Sequence, residues 1–220
     1  MALTRFSREL ATLQAGVLEF GAMVDRQIER AMRALAEGDV LLAHAVIRDD
    51  AELNRTRFHV DNVCLSLLAQ NAPYASDLRL IVAVLGIATE LERAGDHAEG
   101  IARIAVMIGK PPAPSLDELT AMATLARGML RDALNAFARR DQALAYAVGT
   151  ADDQVDALYD RVYRALVDTM IRRPAAVESC TRLLWVSHNL ERIADRSTNV
   201  AERVVFLVTG MLPQMNVSSY

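Results

Sequence analysis

Cysteine, proline, glycine and lysine are all scarce in this chain, and each scarcity removes a class of protein. The two cysteines, Cys64 and Cys180, stand far apart in apolar surroundings. A disulfide framework or a zinc site needs more thiols or tighter spacing, so both read as small buried core residues of a reducing compartment. Six prolines and ten glycines in 220 residues leave little turn chemistry, and a composition rich in Ala, Leu, Arg and Glu favours helix nearly everywhere. Long apolar runs are missing too. The most apolar stretch, "LIVAVLGIA" (Leu80 to Ala88), is far short of the ~20 residues of a membrane span. "MALTRFSREL" places charges where a signal peptide carries its apolar core. A net charge of −4, with Lys110 the only lysine, argues against a partner held by neutralising nucleic-acid phosphates. These absences predict a soluble, cytoplasmic protein. With 52% hydrophobic residues it can build a sizeable core.

What is present is helical periodicity from end to end. Leu10, Leu13, Val17, Phe20, Val24, Ile28 and Leu35 form one stripe of a first helix, expected over about 6–37. Gly38-Asp39 interrupts it, with Asp39 a suitable N-cap, and a second helix is expected over about 40–71. Pro73 ends that helix, and a third, capped by Ser76, is expected to reach Ile108. "GKPPAPS" (109–115) holds three of the six prolines and reads as the linker. Three further helices are then expected over about 116–139, 142–172 and 175–208, with Pro174 separating the last two.

The second half repeats the first. "GDVLLAHAVIRDD" (38–50) over "RDQALAYAVGTAD" (140–152) gives six identities in thirteen at an offset of 102. At an offset of 99, Leu91-Glu92-Arg93 and Asp96 fall on Leu190-Glu191-Arg192 and Asp195. The fold expected is therefore all-α, two tandem antiparallel three-helix bundles related by internal duplication. The first repeat would span 1–108, the linker 109–115 and the second repeat 116–220.

The duplication carries a chemical pattern. Glu92/Asp96 and Glu191/Asp195 are carboxylate pairs at i and i+4, neighbours about 5–6 Å apart on one helix face. Like charges there weaken a helix, and both pairs continue an apolar stripe: Ile81, Leu85 and Ala88 in one copy, Cys180, Leu184 and Ser187 in the other. The preceding helices carry matched partners, Asp50/Asn54 and Asp152/Asp156. Asp50 lies 23 residues before Pro73 and Asp96 lies 23 after it, so an antiparallel pair brings the acids to one level. Acids gathered in this way raise their pKa values or hold a cation. Oxygen-only ligands suit hard cations rather than zinc. A solvated acidic stripe paired with Arg93 or Arg192 would account for either copy alone; recurrence at matched depth favours two cation sites. Asn199 and Glu202 continue the second stripe where the first has Gly100 and Arg103, which predicts a richer second site.

No Glu-x-x-His motif recurs at the acid pairs, as di-iron bundles require, and no Ser/His/Asp set, phosphate loop or nucleotide fingerprint appears. The chain is not expected to be an enzyme. The competing readings are a carboxylate-bridged metalloenzyme and a metal-storage or metal-free bundle. Trp185 and Phe206 are assigned to the core or an interface edge.

From about Phe6 to Gly210 the sequence resembles the PhoU family of regulators of bacterial phosphate uptake. The likeness is carried by "YASDLR" (74–79), "ELERAGDHAEGIA" (90–102), "LERIADRSTNVAE" (190–202) and "FLVTG" (206–210). The resemblance implies a helical homodimer whose acidic motifs hold metal ions, either iron or a divalent cation such as Mg²⁺ or Mn²⁺. Carried onto this chain, the motifs are Asp50/Asn54, Glu92/Asp96, Asp152/Asp156 and Glu191/Asp195. It also implies a negative regulator of phosphate transport and phosphate homeostasis. Its partners would be the ATPase component of the phosphate ABC transporter and a sensor histidine kinase of a two-component system.

Overall fold

The computed structural model describes residues 5–110 and 116–215. They form six long helices: α1 (Arg5–Glu37), α2 (Val40–Asn71), α3 (Ser76–Ile108), α4 (Asp117–Arg139), α5 (Gln142–Arg172) and α6 (Val177–Thr209). A single 3₁₀ turn, Pro174–Ala176, leads into α6 where the sequence predicts that helix already begun. Gly109 and Lys110 follow α3, and the remainder of the expected linker, 111–115, lies outside the described residues.

The helix ends follow local chemistry. Asp39 and Asp141, counterparts in the two repeats, each accept a bond from the backbone N–H three residues on, Leu42 at 2.9 Å and Leu144 at 3.0 Å. Such caps satisfy donors that no helical carbonyl reaches. The predicted cap at Ser76 is not formed. Ala75, at φ +48°, precedes α3 without a side-chain cap, and the Arg79 amide that a Ser76 cap would take donates to the Ala75 carbonyl instead.

Every residue of the predicted α1 stripe is buried. Each large side chain so buried contributes about 1.5–3 kcal/mol against solvent. α1, α2 and α3 pack as one antiparallel bundle, α4, α5 and α6 as another, and α3 and α6 join them at the centre. Trp185 sits at the surface, 59% exposed, edge-on to His188.

The repeats meet across an approximate two-fold axis. Asp25 and Arg127 are counterparts at the offset of 102, and they contact each other through two bonds of 2.7 and 3.0 Å. On α3 and α6 the contacts Glu90–Arg196 (3.1 Å) and His97–Asn189 (3.0 Å) exchange under the offset of 99, one contact made twice with different residues. Gly100 is explained here: a Cβ would lie 3.1 Å from Asn189 Oδ1, so glycine lets α6 approach α3.

Candidate metal centres

In the second repeat α5 presents Asp152 and Asp156 to Glu191 and Asp195 on α6. Asp152, Glu191 and Asp195 are buried, and Asp156 stands at the solvent edge. Burial pushes the Asp152 carboxyl up to about 7, helped by the charges of Asp156, Asp195 and Glu191. Burial likewise raises Asp156, with the Asp195 charge adding to it. Glu191 is raised by burial and partly drawn back by its bond from Arg192. Asp152 and Asp156 on α5 thus both feel the charge of Asp195 on α6.

Arg192 neutralises part of this charge. Its Nε lies 2.5 Å from Glu191 Oε2 and its Nη1 3.0 Å from Asp195 Oδ2. Of the two arginines that sequence alone offered as neutralising partners, this one engages its acid pair.

The first repeat assembles a different cluster. Asp50 accepts from two neutral amides, Gln27 Nε2 on α1 at 3.1 Å and Asn54 Nδ2 at 2.9 Å. Gln27, 4% exposed, also reaches the Gly95 carbonyl and so ties α1 to α2 and α3 at the level of the acids. Glu92 is half-buried and Asp96 exposed, so the first stripe emerges into solvent where the second stays covered. The Asp96 carboxyl is nevertheless raised to about 6, by partial desolvation first and then by Glu92, Asp50 and Glu99. Arg103 pairs with Glu99 at 2.5 Å.

Two predicted ligands stand apart from the cluster. Asn199 turns across the repeat boundary and donates to Glu90 Oε2 at 3.0 Å. Each step of four residues drifts by about 40° around a helix, so two steps beyond Glu191 turn Asn199 toward α3 rather than α5. Glu202 does lie on the stripe, but its carboxylate accepts the Met215 backbone N–H at 2.7 Å, where the tail returns over α6. Sequence reasoning missed Gln27 and Glu90, both buried polar residues on otherwise apolar helix faces. That is the signal by which they could have been found.

The donor chemistry suits a hard cation: carboxylates without a thiolate, with the His188 imidazole 3.8 Å from Glu191 at the margin of the second cluster. Among the described residues no three His, Cys, Asp or Glu side chains already stand as a ligand set.

Known proteins resemble this chain along nearly its whole length. The PhoU domain profile matches twice, over 17–105 and 119–204, once per repeat. A Pseudomonas putida "phosphate-specific transport system accessory protein PhoU homolog" is 36% identical over 94% of this chain and 81% of its own length. The Clostridium acetobutylicum protein of the same name is 35% identical over 96% and 97%. Among solved structures, PhoU from Pseudomonas aeruginosa superposes with a TM-score of 0.89 at 34% identity, covering 94% of this chain and all of the other. The phosphate transport system regulatory protein PhoU from Streptococcus pneumoniae gives 0.90 at 31%, covering 96% and 100%.

Proposed function

This chain belongs to the PhoU family, and from that premise we propose that it is a cation-holding negative regulator of phosphate uptake and phosphate-starvation signalling. Its named relatives are accessory and regulatory proteins of phosphate transport, not enzymes. In this reading the protein works in the cytoplasm as a homodimer, between the ATPase of a phosphate ABC transporter and a sensor histidine kinase. No helix among the described residues is long and apolar enough to cross a membrane, which suits a regulator that meets the membrane through its partners.

The observation that carries the reading is the duplicated convergence of carboxyls between α2 and α3 and between α5 and α6. A bound cation would join the two helices of each pair through their acids, stiffening the bundle surface that partners read. Asp50, Glu92 and Asp96 would serve in the first repeat, with Asn54 as a neutral oxygen donor. Asp152, Asp156, Glu191 and Asp195 would serve in the second.

Replacing Glu191 and Asp195 together by Ala tests this. Elemental analysis should find less metal per chain, and a phosphate-starvation reporter should stay on in phosphate-rich medium. Unchanged metal content with intact repression would sink the assignment.

A further inference from the structure

We infer that Arg192 is the built-in counter-cation of the second carboxylate cluster, competing with a bound ion for Glu191 and Asp195. The inference rests on the cation reading above. Adjacent residues on a helix point about 100° apart, so a contact between Glu191 and Arg192 forms only when both side chains bend toward each other. Here they do, at two nitrogens, and the third guanidinium nitrogen continues to Asp195 at 3.0 Å. Two of the four acids are thus held by a fixed positive charge that an entering cation must displace.

The first repeat shows what removes that competitor. Arg93, the counterpart of Arg192, is about half exposed and reaches Glu90 at 3.5 Å instead of the Glu92/Asp96 pair. Glu90 is buried where α3 meets α6, accepting also from Arg196 and Asn199. The counterpart of Glu90 is Asn189, which is uncharged and bonds His97. With no acid there to draw it away, Arg192 turns to the cluster. One replacement, Glu90 in the first repeat against Asn189 in the second, accounts for the different destinations of two equivalent arginines. The two sites therefore differ in regulation as well as in ligands: the richer carboxylate set is the one kept occupied by its own arginine.

The test is a Mn²⁺ titration followed by electron paramagnetic resonance on two backgrounds of the full chain. Glu92→Ala with Asp96→Ala leaves the second cluster alone; Glu191→Ala with Asp195→Ala leaves the first. Adding Arg192→Gln to the former should tighten Mn²⁺ binding about tenfold or more, since a half-buried, charge-assisted bidentate competitor is removed. Adding Arg93→Gln to the latter should change binding by less than about threefold, the effect of one exposed charge. Arg192→Lys, which keeps the charge but loses the fork, should fall between, and it serves as the milder variant if Arg192→Gln unfolds. Unchanged or weaker binding with Arg192→Gln, or an equal gain with Arg93→Gln, overturns the inference while leaving the cation reading intact. Absence of Mn²⁺ binding on every background overturns both.

Discussion

The two repeats carry the same backbone plan and different electrostatics. In the second, three buried carboxyls and one at the solvent edge share a single arginine, and burial with repulsion lifts Asp152 to about 7. In the first, Asn54 replaces one acid, Gln27 supplies an amide to another, and Asp96 reaches solvent. Met129 occupies the position of Gln27 in the second repeat and is buried without a polar group to offer. Duplication thus preserved the level at which acids meet, while single replacements decided how their charge is balanced. Amides relieve part of the repulsion in the first cluster, where Asp96 is still raised to about 6. The second stores repulsion that a proton, Arg192 or a cation must relieve.

That contrast can be broken experimentally, beginning where the effect is largest. Glu90→Ala leaves Arg196 half-buried without its carboxylate and should cost about 3 kcal/mol or more in denaturant unfolding. The counterpart change, Asn189→Ala, removes neutral hydrogen bonds and should cost only about 1 kcal/mol. Equal costs would mean that the two sides of the interface are energetically alike.

The pH dependence comes next. The folded Asp152 carboxyl titrates near 7, above the ordinary 3.8, so the fold favours its protonated form. That contribution is fully present below about pH 4 and is lost as pH rises through 7. Cation-free protein should therefore lose roughly 2–3 kcal/mol between pH 5 and 8, and Asp152→Asn should flatten the fall. A wild-type profile flat over that range would contradict the repulsion.

Asn54→Asp would make the first cluster resemble the second. It exchanges a hydrogen-bond donor to Asp50 for a like charge, and should cost about 1–2 kcal/mol at neutral pH without cation. Added Mn²⁺ should recover that loss in a thermal melt.

The smallest effect concerns packing between the acid-bearing helices. A Cβ at Gly95 would lie 2.6 Å from Leu53 Cδ1, whereas the second repeat pairs Ala194 with Val155, both fully buried. Leu53→Val should cost about 1 kcal/mol in the parent and become favourable beside Gly95→Ala, a coupling readable in a double-mutant cycle.

Much of this was legible before the structure. The bounds of α2, α3 and α5 coincide with those read from Gly38, Pro73 and Pro174, because chain breakers and stripe periodicity act locally. The equal spacing of Asp50 and Asp96 from Pro73 placed the acids at one level because a short antiparallel connection leaves no other register. Contacts between repeats were not legible. Nothing in sequence marks Glu90 as the partner of residues 196 and 199, since that pairing depends on how two bundles dock. For the same reason Asn199 could be assigned to the acid stripe although it faces α3. The Ser76 cap failed on backbone conformation, as two alanines with positive φ set up a turn that propensity does not foresee.

The central claim is that the duplicated carboxyls are cation clamps, and thermal unfolding of the wild-type protein at pH 7.5, with and without Mn²⁺, tests it most directly. An ion bound only by the folded state at about a hundred times its Kd should add about 2.7 kcal/mol and raise Tm by several degrees. The rise should be diminished in Glu191→Ala/Asp195→Ala. A melting temperature indifferent to Mn²⁺ over a wide concentration range would contradict the account.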